Sequence, residues 1–271
     1  MPADRVTIPT CAVVADTCCD IPSELLAQLG VAVCERRPDV DELVELYRGL
    51  LAQGSAGVVS IHKGSEAVAA RAAVAKMDDP DRVTVVDVGL TSAALALAVE
   101  RAAYAASNGG TPAEVAARAE AVADATVLLV ISDPHAPRQG HGGLFDRFAY
   151  LRRRALGVSH LVRLDRLGYK VLAESDDLAN LAGLVAHAFG TRARTDGALC
   201  YIEAAGSVPN GLAQLDKPFD TNEYVSYRLA TLVPATELVR YSGSGALAVA
   251  MIPEDVYGGH ETSLFDSNLT V

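Results

Sequence analysis

Two short segments set polar side chains where an α/β protein binds its ligands. Asp16-Thr17-Cys18-Cys19-Asp20-Ile21-Pro22 lies between a valine-rich run and an amphipathic one. At the carboxyl end of a strand in an open parallel sheet, such a turn borders the ligand crevice, and the next helix offers unpaired N–H groups to an anion. Asp and Thr also cap helices in any protein, so binding and capping both stand. Ser60-Ile61-His62-Lys63-Gly64-Ser65 occupies the equivalent place after another apolar run. It lacks the G-x-x-x-x-G-K-[ST] spacing of a phosphate cradle, and a turn capped by Ser65 accounts for it equally well. His62 is there either a general base or simply a hydrogen-bonded ring.

Cys18 and Cys19 are neighbours, and neighbouring cysteines bridge with difficulty because their side chains diverge. A helix N-terminus can hold one of them as a low-pKa thiolate nucleophile; small side chains packing a tight turn is the plainer account. His135 and His141 flank a Gly- and Pro-rich stretch with Asp133 beside it. A metal needs three or four ligands of fixed geometry, and no spacing of that kind occurs, so no metal is expected. Arg152-Arg153-Arg154 reads as a solvated helix face or as a docking patch for a partner. Tyr241-Ser242-Gly243-Ser244-Gly245-Ala246 joins two apolar runs, and its glycines permit close approach of a ligand or form a hairpin turn. No Ser/His/Asp triad, carboxylate pair or dinucleotide fingerprint can be assembled from the sequence.

The elements that must carry these residues alternate over the first 130 positions. Ala12–Asp16, Val31–Cys34, Gly57–Ile61, Val83–Val88 and Val127–Ile131 are short and valine-rich, which predicts buried strands. Pro22–Gln28, Val40–Gln53, Ser65–Met77, Ser92–Ser107 and Pro112–Ala123 repeat apolar residues at helical spacing. Asp20 before Pro22, and Thr111-Pro112-x-Glu114, mark helix starts. Such alternation implies βαβ units and a mostly parallel sheet. After a loop at Asp133–Gly143 the texture changes to α+β. A basic helix carries Arg147 and Arg152–Arg154, and a hairpin joins His160–Leu164 to Tyr169–Leu172. Helices are expected at Asp177–Ala188 and near Glu223–Leu232, and strands at Ala198–Glu203, Glu237–Tyr241 and Ala246–Ile252.

A length of 271 residues suits two domains, here expected over 1–145 (α/β) and 146–271 (α+β). Asp and Glu number 34 against 23 Lys and Arg, a formal charge of −11. A chain that acidic is repelled by phosphate backbones and anionic lipid, which argues against nucleic acid and membrane surfaces as partners. No run approaches the roughly 20 apolar residues that span a bilayer. Met1–Thr10, with Asp4 and Arg5, has no apolar core of a signal peptide. Five cysteines, an odd number, fit a reducing cytoplasm better than a disulfide framework.

Taken in order, these segments resemble the DegV family of bacterial fatty-acid-binding proteins. D-T-C-C-D-I-P is similar to the family's D-S-T-x-D-L-P opening, and Leu46-Tyr47 to its F-x-x-x-Y helix. Val59-Ser60-Ile61-His62 resembles the strand before S-S-x-L-S-G-T, and Val83–Asp87 the V-x-V-I-D-S strand. Gly142-Gly143 resembles the G-G-R loop, and Gly243-x-Gly245-Ala246-Leu247 the terminal H-T-G-P-G-A-L-G. The resemblance implies two α/β-type domains with a long-chain fatty acid between them, no catalysis, no cofactor, and a kinase-like or other protein partner. It also implies a changed head-group site. The hydroxyl positions of L-S-G-T fall on Ala67, Val68, Ala69 and Ala70, and the T-S-Q-P-S stretch gives way to Cys34–Pro38. The terminal His falls on Tyr241 and its Pro on Ser244, the G-G-R arginine on Leu144, and a basic position near Asp177.

A buried carboxylate needs donors or positive charge, so the ligand or its site is expected to differ from the family's. Thr17, Cys18, Cys19, Ser65, Val68, Tyr241, Ser242 and Ser244 are the expected ligand-binding residues. Backbone N–H groups of the helix beginning near Ser65 stand as further donors. Two other readings compete: a thiol-dependent enzyme or acyl carrier using Cys18 or Cys19, and a ligand-free interaction module.

Overall fold

Val13, Val14, Val58 and Val59 are buried on both faces of their strands, the condition under which strands pair in parallel beneath covering helices. The computed structural model describes residues 11–35, 38–135, 155–166, 168–196, 198–204, 226–228 and 236–258. It divides the chain into two units, Met1–Gly89 with Leu95–Ala123, and Leu90–Ala94 with Asp124–Val271.

In the first unit β1 (Cys11–Asp16), β2 (Val31–Cys34), β3 (Gly57–His62) and β4 (Val83–Asp87) form a parallel sheet of order β2-β1-β3-β4. Helices α1 (Ser23–Gln28), α2 (Val40–Ala52) and α3 (Gly64–Val74) connect the first three strands and follow the third. Ala12, Val14 and Val58 share one sheet face with Leu43, Val44 and Tyr47 of α2 and Ala70 and Ala73 of α3, making one apolar cluster. Strand order reverses between β1 and β3, the position at which open α/β sheets leave a crevice at their carboxyl ends.

Helices α4 (Ser92–Ser107) and α5 (Pro112–Ala125) follow. The second unit holds β5 (Val127–Ile131), β6 (Ser159–Asp165), β7 (Gly168–Ser175), α6 (Leu178–Asp196), β8 (Ala198–Ala204), β9 (Ser226–Arg228), α7 (Thr236–Ser242), β10 (Leu247–Pro253) and α8 (Glu254–Tyr257). Its six-stranded sheet runs β7-β6-β5-β10-β8-β9, antiparallel except for the parallel β8–β9 pair. Leu181, Val185 and Phe189 of α6 pack on Leu129, Ile131 and Val249 of that sheet.

Most expected elements are present within a few residues of their expected ends, including the hairpin β6–β7. Four readings change. Val127–Ile131 is a strand, but it pairs antiparallel with β6 and β10 instead of extending the parallel sheet. Glu237–Tyr241, expected as a strand, lies in α7, where Glu237 and Leu238 are both buried and Gly243 N–H donates to Val239 O at 2.9 Å. Ser226–Arg228 is a strand where a helix was expected, because β8 offers it a partner; tertiary pairing overrides a short local pattern. Asp20 does not cap α1: it adopts a left-handed backbone at the end of a 3-10 turn over Thr17–Cys19, and Pro22 is the N-cap residue. Gly142-Gly143, His141, Leu144, Arg147 and Arg152–Arg154 lie outside the described residues.

Candidate functional site

At the β1/β3 switch point the sheet ends in linked polar side chains. Ser60 and His62 are two apart on β3 and so share a face, the face on which Tyr47 of α2 packs. Asp16 closes β1 at the same edge. His62 Nδ1 lies 2.9 Å from Asp16 Oδ2, His62 Nε2 2.6 Å from Ser60 Oγ, and Ser60 Oγ 2.8 Å from Tyr47 Oη. All four residues are buried. A carboxylate only accepts, so the Nδ1 proton faces Asp16, and the Ser60 hydroxyl is shared between the His62 ring and the Tyr47 phenol. The other carboxylate oxygen of Asp16 takes the Cys18 N–H at 2.8 Å and thereby fixes the turn bearing Thr17.

This arrangement has the bond order of an Asp–His–Ser triad without its access. Ser60 is fully buried, and its hydroxyl is engaged on both sides. A nucleophile must reach a substrate carbonyl, and this one cannot. The linkage instead ties the ends of β1 and β3 to α2. Burial pushes the Tyr47 phenol up to about 12, its bond to Ser60 opposing.

The thiol reading meets the same burial. Cys18 and Cys19 are both buried, and they sit on a three-residue 3-10 turn, not at the start of a helix. Burial, reinforced by the Asp16 and Asp20 carboxylates, pushes the Cys19 thiol up to about 12. Burial thus disfavours the thiolate form of Cys19.

The start of α3 is also occupied. Asp87 at the end of β4 accepts from Gly64 N at 2.9 Å and Gly89 N at 3.1 Å, while Arg71 Nη2 lies 3.5 Å from its other oxygen. Glu66 N and Ala67 N donate to Lys63 O. The first-turn N–H groups of Gly64, Glu66 and Ala67 thus have partners within the protein. Ser65 is the second residue of α3, whose N-cap is Lys63, not Ser65. Thr17 is exposed, and Val68 is 63% exposed, whereas Ala67 and Ala70 are buried.

In the second unit Tyr241 and Ser242 form the last turn of α7 and are half-buried, and Ser244 is exposed on the turn before β10. The Arg240 guanidinium stands 5.5 Å from the centre of the Tyr241 ring. Asp133, which follows β5, holds that turn: its N–H donates to Ser242 O at 2.7 Å and its Oδ2 accepts from Gly245 N at 2.8 Å. Asp133 Oδ1 accepts from His135 N. Asp177 accepts from Ala179 N at the start of α6. No group of three or more His, Cys, Asp or Glu among the described residues is placed to hold a metal.

Thr17, Cys18, Cys19, Ser65 and Val68 therefore fall along one strand edge of the first unit, and Tyr241, Ser242 and Ser244 on one turn of the second. Sequence reasoning missed the linkage Tyr47–Ser60–His62–Asp16 and the role of Asp133. The first had a signal, since Ser60 and His62 share strand parity and Asp16 ends a neighbouring strand. The second had none, because Asp133 and Gly245 are far apart in the chain.

Comparison with known proteins now bears on this geometry. The model of the family described as "uncharacterised protein, DegV family" matches residues 36–134. No curated protein matches the chain in sequence. Among solved structures, a DegV family protein from Corynebacterium glutamicum superposes with a TM-score of 0.72 at 20% identity, covering 90% of this chain and 97% of that one. A fatty-acid-binding DegV family protein from Thermus thermophilus gives 0.72 at 18% identity, covering 90% and 99%. DegV from Bacillus subtilis, a fatty acid binding protein, gives 0.70 at 17% identity with the same coverage of 90% and 99%. The chain thus resembles the DegV family in sequence over residues 36–134 and has the fold of DegV proteins over nine-tenths of its length.

Proposed function

We propose that the chain is a non-catalytic binding protein for a long-chain fatty acid or another apolar small ligand, held at an altered head-group site. The observation that carries this reading is the fold likeness over 90% of the chain to proteins described as fatty-acid binding. Thr17, Ser65, Tyr241, Ser242 and Ser244 supply the hydroxyls for the head group, and Cys18, Cys19 and Val68 line the site. Ala67, Val68, Ala69 and Ala70 bring no hydroxyl, which makes this end of α3 less able to solvate a carboxylate. The reading needs no cofactor and no nucleophile, in keeping with the buried, doubly engaged Ser60. A kinase-like or other protein partner receives the ligand under the same reading. Cys11, Cys18, Cys19 and Cys34 form no disulfide among the described residues, which supports a reducing cytoplasm; no described helix is long and apolar enough to cross a membrane.

The test is mass spectrometry of what co-purifies with the recombinant chain, native and then after solvent extraction, with titration by the fluorescent fatty acid cis-parinaric acid. One equivalent of an acyl compound or of probe is expected. An empty protein that does not bind the probe overturns the reading and turns attention to the ligand-free interaction module.

A further inference from the structure

Asp133 stands out because, among the described residues, its carboxylate is engaged only by backbone. It lies two residues beyond β5, and β5 pairs with β10 so that Ile131 faces Leu247. The chain entering β10 therefore passes Asp133, which grips it twice: its N–H donates to Ser242 O at 2.7 Å and its Oδ2 accepts from Gly245 N at 2.8 Å. Asp133 Oδ1 accepts from His135 N at 2.7 Å, which fixes the carboxylate from behind. Gly245 is fitted to this contact, because a Cβ there would stand 2.9 Å from Asp133 Oδ2. Gly243, with φ +88°, ends α7 between the two anchor points.

We infer that Asp133 is a positioning residue for the ligand head group: it clamps the Ser242–Gly245 turn so that the Ser242 and Ser244 hydroxyls are presented at fixed positions. This rests on the binding reading above and deepens it. Each clamp bond is to main chain, so the turn is held without drawing on either serine hydroxyl, and neither hydroxyl has a hydrogen-bond partner among the described residues. A hydroxyl both donates and accepts, so the pair suits an oxygen-bearing head such as a carboxylate. Pre-organising such groups strengthens binding by removing the cost of ordering them.

The experiment compares cis-parinaric acid with its methyl ester, which has the same chain and no acid, on the full-length wild type, Asp133→Ala, Gly245→Ala and the Ser242→Ala/Ser244→Ala double variant. Asp133→Ala is expected to weaken the acid about tenfold, the scale of one or two ordinary hydrogen bonds, and to leave the ester within about twofold. Gly245→Ala, which forces the carboxylate aside, should act in the same direction if Asp133→Ala folds poorly. Adding Asp133→Ala to the serine double variant should bring no further loss, since the clamp acts through those hydroxyls. Equal weakening of acid and ester, or an unchanged acid affinity, overturns the inference and leaves the binding reading in place. A wild type that binds neither probe overturns both.

Discussion

A carboxylate buried as Asp16 is must be met by donors, or burial costs several kcal/mol. Its two are His62 Nδ1 and the Cys18 N–H. Replacing His62 by Ala removes one donor from Asp16 and one partner from Ser60, so a loss of about 3–5 kcal/mol is expected in urea unfolding. Tyr47→Phe removes only the outer bond and should cost about 1–2 kcal/mol. If the two variants are as stable as wild type, the four groups do not act as a chain. Cys19 gives a prediction with a sign. Its thiol is raised from 9.0 to about 12 by burial, so the fold holds the protonated form. Below the unfolded value both states keep the proton and stability is full; between that value and the folded one the unfolded chain ionises first, and stability falls. The urea midpoint should therefore drop between about pH 9 and pH 12, and less steeply in Cys19→Ser. Native protein should also resist iodoacetamide at these cysteines until it unfolds.

At the scale of elements, the caps and close approaches carry the tests. Asp39 accepts from Asp41 N and Glu42 N at the start of α2, and Asp39→Ala should cost about 1 kcal/mol in thermal or urea unfolding. Gly57 opens β3, and a Cβ there would stand 2.6 Å from Pro112 Cγ and 3.1 Å from Arg82 O. Gly57→Ala should thus lower stability by about 1–3 kcal/mol; an unchanged midpoint would mean that Pro112 moves aside freely. These same elements show what a local pattern conveys. Helix α2 was legible because thirteen residues repeat an amphipathic period with Leu43, Val44 and Tyr47 inward and an Asp cap ahead. Thr111-Pro112-x-Glu114 is likewise a capping pair, Glu114 accepting from Thr111 N and Thr111 Oγ1 from Glu114 N. Helix α7 was not legible: seven residues fit either period, and the clamp on its end comes from Asp133, elsewhere in the chain.

For the whole molecule, the proposed function rests on the likeness of the fold to DegV proteins, and the decisive outcome is the ligand. A stoichiometric free fatty acid in the solvent extract would show that hydroxyls such as those of Ser242 and Ser244 replace the lost L-S-G-T donors. A stoichiometric compound without an acid group would point to a head-group site of changed chemistry, consistent with the partners already made by the Gly64, Glu66 and Ala67 N–H groups. The formal charge of −11 adds that a soluble acyl compound, not an anionic surface, is the ligand to look for.

The sequence by itself determined what depends on short-range periodicity: the parallel β1–β4 sheet, the helices between its strands, the β6–β7 hairpin and the ordered motifs of the family. Each of these is written in consecutive residues, where burial must alternate with a strand's or a helix's own period. Only the tertiary structure decided which groups meet across the chain. It placed His62 against Asp16 and Asp133 against Gly245, turned β5 into an antiparallel strand, and buried the two cysteines that the sequence left open as nucleophiles. Burial and hydrogen-bond partnership are set by packing of distant segments, and no spacing along the chain encodes them.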